Sequence, residues 1–302
     1  DTQRKESDKV EVLSGVFEGK TTGTPIGLLV RNTDHKSKDY ENIKDKFRPG
    51  HADFTYQQKY GIRDFRGGGR ASARETVMRV AGGAIAKKVL EKKGVIVRAG
   101  VMQIGDIVAD LHNFSDVSKN DFNFVDKSKV KALENFFKEL IKDQDSIGAK
   151  IIVNISGLQP GVGSPVFSKL DAELAKSLMS VNAVKAIEIG TGVDSVTMRG
   201  SENRDIISVD GFETNNSGGI LGGISNGDDI NIFASLKPTS SISQKTTTTN
   251  IDNQKVDLEV KGRHDPCVGL RAAPILEAMV ALTFIDHMLI DKAQCFDVVR
   301  KT

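Results

Sequence analysis

The chain has 302 residues, 38% of them hydrophobic, enough for a substantial core in one large domain or two average ones. Its 42 basic and 40 acidic residues leave a formal charge of +2 with no block of one sign. This speaks against nucleic-acid or membrane-surface binding and makes any anion site a local feature.

The two cysteines, Cys267 and Cys295, are too few for a secreted disulfide scaffold and fit free thiols in a reducing cytoplasm. Residues 1–6 are polar and charged, unlike a signal peptide. The most apolar run, 278–285, is far shorter than the roughly 20 residues of a membrane span. Neither export nor a membrane helix is expected.

In chain order, residues 10–17 and 25–30 read as strands with a glycine turn at 19–23 between them, a hairpin or meander. Residues 31–47 are polar, with Tyr40 and Ile43 as anchors of a surface loop. Ser72 and Glu75 fit a capping box, and Val77, Val80, Ala81, Ala84 and Ile85 repeat at helical spacing until Gly94. Strand-like runs follow at 95–108, and 128–142 is an amphipathic helix with Val130, Leu133, Phe137, Leu140 and Ile141 on one face. Residues 151–155 predict a strand, 170–181 a helix and 183–189 a strand. Residues 211–227 are rich in Gly, Asn and Ser, 244–253 resemble a flexible loop, and Pro274 is placed to start a last helix reaching about Leu289. Strands and helices mix without regular alternation and no linker interrupts them, so a single α+β domain is expected.

Four segments carry chemistry. Arg66-Gly67-Gly68-Gly69-Arg70-Ala71-Ser72 sets glycines and arginines before a capped helix start, where free N–H groups favour an anion such as phosphate. The same glycines also suit a plain strand-to-helix turn. Arg74 on the first turn, with Arg48 and Arg63, would allow bidentate contacts to a ligand bearing phosphate and carboxylate. Arg48-Pro49-Gly50-His51-Ala52-Asp53 holds a histidine in a stiffened loop, as a general acid requires, although a lone loop histidine is more often structural. Lys237-Pro238-Thr239-Ser240-Ser241 offers a cation and three hydroxyls, and Gly218-Gly219-Ile220-Leu221-Gly222-Gly223 precedes it; together they suit a phosphate or a polar ring. Arg263-His264-Asp265-Pro266-Cys267, followed by Arg271, is a second rigid polar cluster. No second pair with zinc-like spacing accompanies His264 and Cys267, so no metal is expected.

Two familiar motifs are absent. Residues 15–21 imitate a Walker A loop but have three residues between the glycines where four are needed. The glycines at 67–69 lack the third glycine and the downstream acidic residue of a dinucleotide fingerprint.

Read together, residues 47–53, 67–88, 179–190, 218–227, 237–242 and 262–267 closely resemble the chorismate synthase family, and the similarity runs from about residue 2 to 289. The resemblance implies a β-α-β sandwich of two antiparallel sheets with helices, a homotetramer, and conversion of 5-enolpyruvylshikimate 3-phosphate to chorismate by anti-1,4-elimination with reduced FMN and no net redox change. By position, Arg48, Arg74 and Arg271 resemble the substrate-binding arginines. His51 resembles the histidine that protonates the leaving phosphate, and Asp265 the aspartate that manages the proton on flavin N5. Flavin contacts match Arg70, Ala71, Ser72, Asn182, Ala183, Gly222, Lys237, Pro238, Thr239, Ser240, Ser241 and Arg263. Asn182 and Ala183 come from the resemblance alone. The family's Gly-Glu-Ser-His-Gly motif is not in this sequence, so an N-terminally incomplete domain is expected. The resemblance does not choose between flavin reduction by NADPH on the enzyme and supply by an external flavin reductase. A phosphate-ligand lyase or transferase working without flavin is the rival enzyme reading. An RNA-binding module is disfavoured, because there is no Trp, only three Tyr and no basic excess.

Overall fold

The computed structural model describes residues 8–32, 41–66, 72–260 and 265–300. The opening meander is present as two nested antiparallel pairs, β1 (Val10–Val12) with β4 (Leu28–Val30) around the hairpin β2 (Val16–Phe17) and β3 (Lys20–Thr21). Of the expected surface loop, residues 33–40 lie outside the described residues. Ile43 and Phe47 are buried before α1 (Asp53–Tyr60).

Ser72 caps the next helix, its hydroxyl accepting the Arg74 N–H at 3.3 Å, and a 3₁₀ turn at Ala73–Glu75 leads into α2 (Thr76–Glu91). The capping box does not close. Glu75 instead accepts from Arg79 Nε at 3.1 Å, one helical turn along. β5 (Ile96–Ile104), β6 (Ile107–Val108), α3 (Val130–Lys142), β7 (Ala149–Ser156), α4 (Leu170–Met179) and β8 (Val184–Ile189) follow where the periodicity puts them. After α5 (Gly200–Asn203) come two small hairpins, β9 (Ile207–Ser208) with β10 (Gly211–Phe212) and β11 (Ile220–Leu221) with β12 (Ile224–Ser225).

The strand that completes the main sheet is β13 (Ile230–Leu236), which the sequence analysis does not anticipate. It buries Ile230, Ile232, Ala234 and Leu236 on one face and pairs antiparallel with both β7 and β8. The resulting order is β6-β5-β7-β13-β8, antiparallel throughout, which places the chain in the α+β class. The stretch expected as a flexible loop is partly a hairpin, β14 (Thr246–Thr249) with β15 (Lys255–Leu258). Four β-branched threonines suit a pleated ribbon, and the Asn250 side chain closes the turn by accepting the N–H groups of Asp252 and Gln254.

The last helix, α6 (Gly269–Gln294), begins ahead of Pro274 rather than at it. Proline has no N–H for the Leu270 carbonyl one turn back, and Asn123 Nδ2 donates to that oxygen at 2.7 Å instead. At 26 residues the helix exceeds the apolar run that marked it, and length and composition alone would let it cross a membrane. Here it is the core helix, with Ala272, Leu276, Val280 and Phe284 buried and with α2, α4, β5 and β7 packed along it. α2 touches the five-stranded sheet through β5 and the β1–β4 pair through β4.

α2 and α6 meet at Gly83, where a Cβ would lie 2.3 Å from the Ala278 Cβ and 2.5 Å from its Cα. Only a residue without a side chain permits that approach. Gly83→Val should therefore push the helices apart and cost about 1–3 kcal/mol of stability. A lower urea midpoint with an unchanged m-value would show it.

Candidate active site

The loop before α1 closes on a buried carboxylate. Asp53 is 4% exposed, and three side chains converge on it. Arg48 donates from its backbone N–H and Nε to Oδ2 at 3.2 and 2.7 Å, and from Nη2 to Oδ1 at 3.0 Å. Arg63 Nη1 lies 2.7 Å from Oδ1, and His51 Nδ1 lies 2.9 Å from the same oxygen. Burial by itself pushes the Asp53 carboxyl up, but hydrogen bonds from His51 and Arg48, together with their charges, outweigh it and hold the group far below the usual carboxylate range. The group is an anion at neutral pH.

A second loop leaves the end of β13. The ladder with β8 shifts register between Ser235 and Leu236, and Pro238, having no N–H, ends the pairing. The Lys237 N–H donates to the Ala183 carbonyl at 3.0 Å, while its ammonium reaches across to the Gly50 carbonyl. Ser241, 7% exposed, accepts from Arg48 Nη1 at 3.3 Å. Ser240 packs beside Gly50. Ser146 Oγ donates to the Thr239 carbonyl at 2.7 Å, and Thr239 Oγ1 donates to the Asp265 carbonyl at 2.7 Å. Asp265 Oδ2 in turn lies 3.3 Å from Arg271 Nε. On the far side Asn182 Nδ2 donates to the Ser72 carbonyl at 3.4 Å, which ties the turn before β8 to the start of α2.

Hydrogen bonds and ion pairs thus join Ser72 with Asn182, Ala183 with Lys237, Thr239 with Asp265 and Arg271, and Ser241 with Arg48 and His51, and chain neighbours link these groups. The three arginines expected at a substrate each face a carboxylate of the chain: Arg48 with Asp53, Arg74 with Asp8 at 2.6 Å, and Arg271 with Asp265. Gly222 sits at the tip of the β11–β12 hairpin with open space where a side chain would be. Its neighbours in sequence are different. Gly218 lies against the Gly190 backbone so closely that a Cβ would come within 2.3 Å of it, so this glycine serves packing. Gly67 to Ala71 and Arg263 with His264, and hence the expected flavin contacts at Arg70, Ala71 and Arg263, lie outside the described residues. Sequence reasoning did not single out Asp53, although a carboxylate two positions after His51 was a usable signal. Ala183 carries its own mark in the structure, a non-glycine residue at φ 74°.

The sequence model of the chorismate synthase family matches residues 1–289. The chain belongs to the chorismate synthase family. A solved crystal structure of a chorismate synthase is 28% identical, with a TM-score of 0.73 over 93% of this chain and 78% of that one. Chorismate synthases are carbon–oxygen lyases acting on a phosphate ester, and this chain is an enzyme of that class.

Beside Asp265, Cys267 is fully buried, and burial pushes its thiol up to about 11 from 9.0. That leaves about a hundredfold less thiolate than an unperturbed cysteine has. Iodoacetamide should therefore modify Cys295 and spare Cys267 in the native protein, and modify both after unfolding. Mass spectrometry of the alkylated peptides checks this.

Proposed function

We propose that this chain catalyses anti-1,4-elimination of phosphate from 5-enolpyruvylshikimate 3-phosphate, giving chorismate with reduced FMN as cofactor. The observation that supports it most is that the lysine-hydroxyl loop hydrogen-bonds to the histidine loop, to Ala183 and to Asp265, which are far apart in sequence. Its donor set fits the cofactor. Lys237, Ser72, Thr239, Ser240, Ser241 and the Asn182 amide supply one cation and mostly donor groups, which suit a phosphate and a polar ring system. Pro238 and Gly222 join the proposed flavin contacts on the resemblance alone.

The reaction removes phosphate and a weakly acidic C6 hydrogen and leaves a new double bond, so the electrons balance without an oxidant. Bound reduced FMN would lend electron density to the allylic system and take up the hydrogen. The chain's own part is acid–base and electrostatic. His51 hands a proton to the departing phosphate, which leaves more easily with less negative charge. Asp265 holds the proton exchanged at flavin N5. Arg48, Arg74 and Arg271 neutralise the phosphate and carboxylates of the substrate, whose anionic groups take over from Asp8 and Asp265 as partners of the last two.

The enzyme belongs, on this reading, to the shikimate route of aromatic amino acid biosynthesis in the cytoplasm. A homotetramer accords with the large apolar side chains left exposed on one chain, such as Phe167, Val196 and Val209. Comparing turnover with NADPH alone and with an added flavin reductase identifies the source of reduced flavin.

Under anaerobic conditions, reduced FMN and substrate should yield chorismate and a perturbed flavin absorbance. His51→Ala should lower turnover by roughly 10² to 10⁴ with flavin binding nearly intact. Equal turnover would remove His51 from the mechanism, and product without any flavin signal would favour the flavin-independent rival.

A further inference from the structure

His51 touches two groups through one ring nitrogen. Nδ1 lies 2.9 Å from Asp53 Oδ1 and 3.1 Å from Arg48 Nη2. An ionised carboxylate only accepts and a guanidinium only donates, so Nδ1 can satisfy one of them and not both. Arg48 Nη2 already has an acceptor in Oδ1 at 3.0 Å, and its Nε is taken by Oδ2. A proton on Nδ1 pointing to Asp53 gives Nδ1, Arg48 Nε and Arg48 Nη2 each a carboxylate acceptor. A lone pair on Nδ1 would instead face the lone pairs of a buried anion. The consistent pattern is Nδ1–H donated to Asp53.

We propose that Asp53 is the positioning residue of this site: its buried carboxylate fixes the His51 ring as an Nδ1–H donor, so that Nε2 alone can exchange a proton with a ligand. This rests on the reading of His51 as proton donor to the leaving phosphate. In that role the imidazolium gives up its Nε2 proton and relaxes directly to the neutral tautomer that Asp53 prefers, with no ring reorientation. The same carboxylate faces two guanidiniums, so the cluster of Arg48, Arg63 and Asp53 sums to 2 − 1 = +1, and to +2 when His51 is protonated. Asp53 is thus too weak a counter-ion to cancel the field that attracts a dianionic phosphate, and strong enough to keep both arginines in place. Arg63 is pinned further, its Nη2 donating to the carbonyls of Ile43, Lys44 and Lys46 at 3.0, 2.8 and 3.2 Å.

The primary test needs no substitution at Asp53. In the ¹⁵N-labelled wild-type enzyme, the His51 ring signals, assigned by their loss in His51→Ala, should show a protonated Nδ1 and, in the neutral ring, a bare Nε2. A neutral ring protonated on Nε2 overturns the proposal whatever the kinetics. Asp53→Asn keeps the shape, removes the charge and offers an amide donor to Nδ1. It should lower kcat by roughly 10² or more while leaving the flavin Kd within about threefold. In a His51→Ala background the same substitution should cost less than about threefold further, because both act on one step. Losses that multiply would mean that Asp53 acts through the arginines alone and would overturn the assignment. Unchanged turnover in His51→Ala with an Nδ1–H ring would sink the proton-donor reading of His51, whereas an Nε2–H ring would overturn the Asp53 assignment itself, so the two failures are told apart.

Discussion

A carboxylate that is 4% exposed has no water to turn to, so the chain around Asp53 has to supply its partners. Removing one partner from such a cluster is costly, about 3–5 kcal/mol in measured cases, because a buried charge is left behind. That constraint organises residues 43–63. Arg48 and His51 must curl back over Pro49 and Gly50, and Arg63 must return from beyond α1, which brings the two ends of the segment together. Phe47 and Phe54 close the same loop with an edge-to-face contact at 5.5 Å. From there the order spreads outward. The Phe47 N–H donates to Thr249, Thr248 Oγ1 donates back to Phe47, and Lys237 reaches Gly50.

The five-stranded sheet brings further candidate site residues to this local cluster. β13 runs through the middle of the core and delivers Lys237 and its hydroxyl neighbours at its end, while β8 beside it carries Asn182 and Ala183 at its start. Antiparallel pairing puts the end of one strand next to the start of the other. The helices behind are tied to the sheet by more than apolar packing: Glu277 on α6 accepts the Ala99 N–H of β5 at 2.7 Å and pairs with Lys87 of α2. A shift of either helix would break that bond as well as the contact at Gly83.

Much of this was legible in the residues. The helices at α2, α3 and α4 declare themselves by period and cap, and the stiffened histidine and lysine loops by their Pro, Gly and charged residues. β13 was hidden between a glycine-rich run and a Lys-Pro turn, although Ile230, Ile232, Ala234 and Leu236 do alternate. The threonine ribbon of β14 reads as polar loop because its apolar methyl groups are not counted as hydrophobic. Pro274 suggested a helix start, since only a distant side chain, Asn123, makes a proline tolerable further in. Gly218 resembled part of an anion cradle because glycine chosen for backbone approach to a ligand and glycine chosen for backbone approach to another loop look alike in sequence. Asp53 was overlooked for a related reason: its importance lies in the number of partners it gathers, and one of those, Arg63, is separated from it by a helix.

The substitution of Asn123 for a missing backbone donor at Pro274 ties together the evolutionary fates of two distant positions. A chain that exchanged Pro274 for alanine would regain an N–H competing with Asn123 for the Leu270 carbonyl, and one that exchanged Asn123 alone would leave that half-buried carbonyl without this partner. Neither change is neutral by itself, yet the pair of them restores an ordinary helix. Because Arg271 stands beside Leu270, the first turn that presents this arginine is held from the Asn123 loop as much as by its own helix, and drift at 123 would be felt first as a displaced cation at the site.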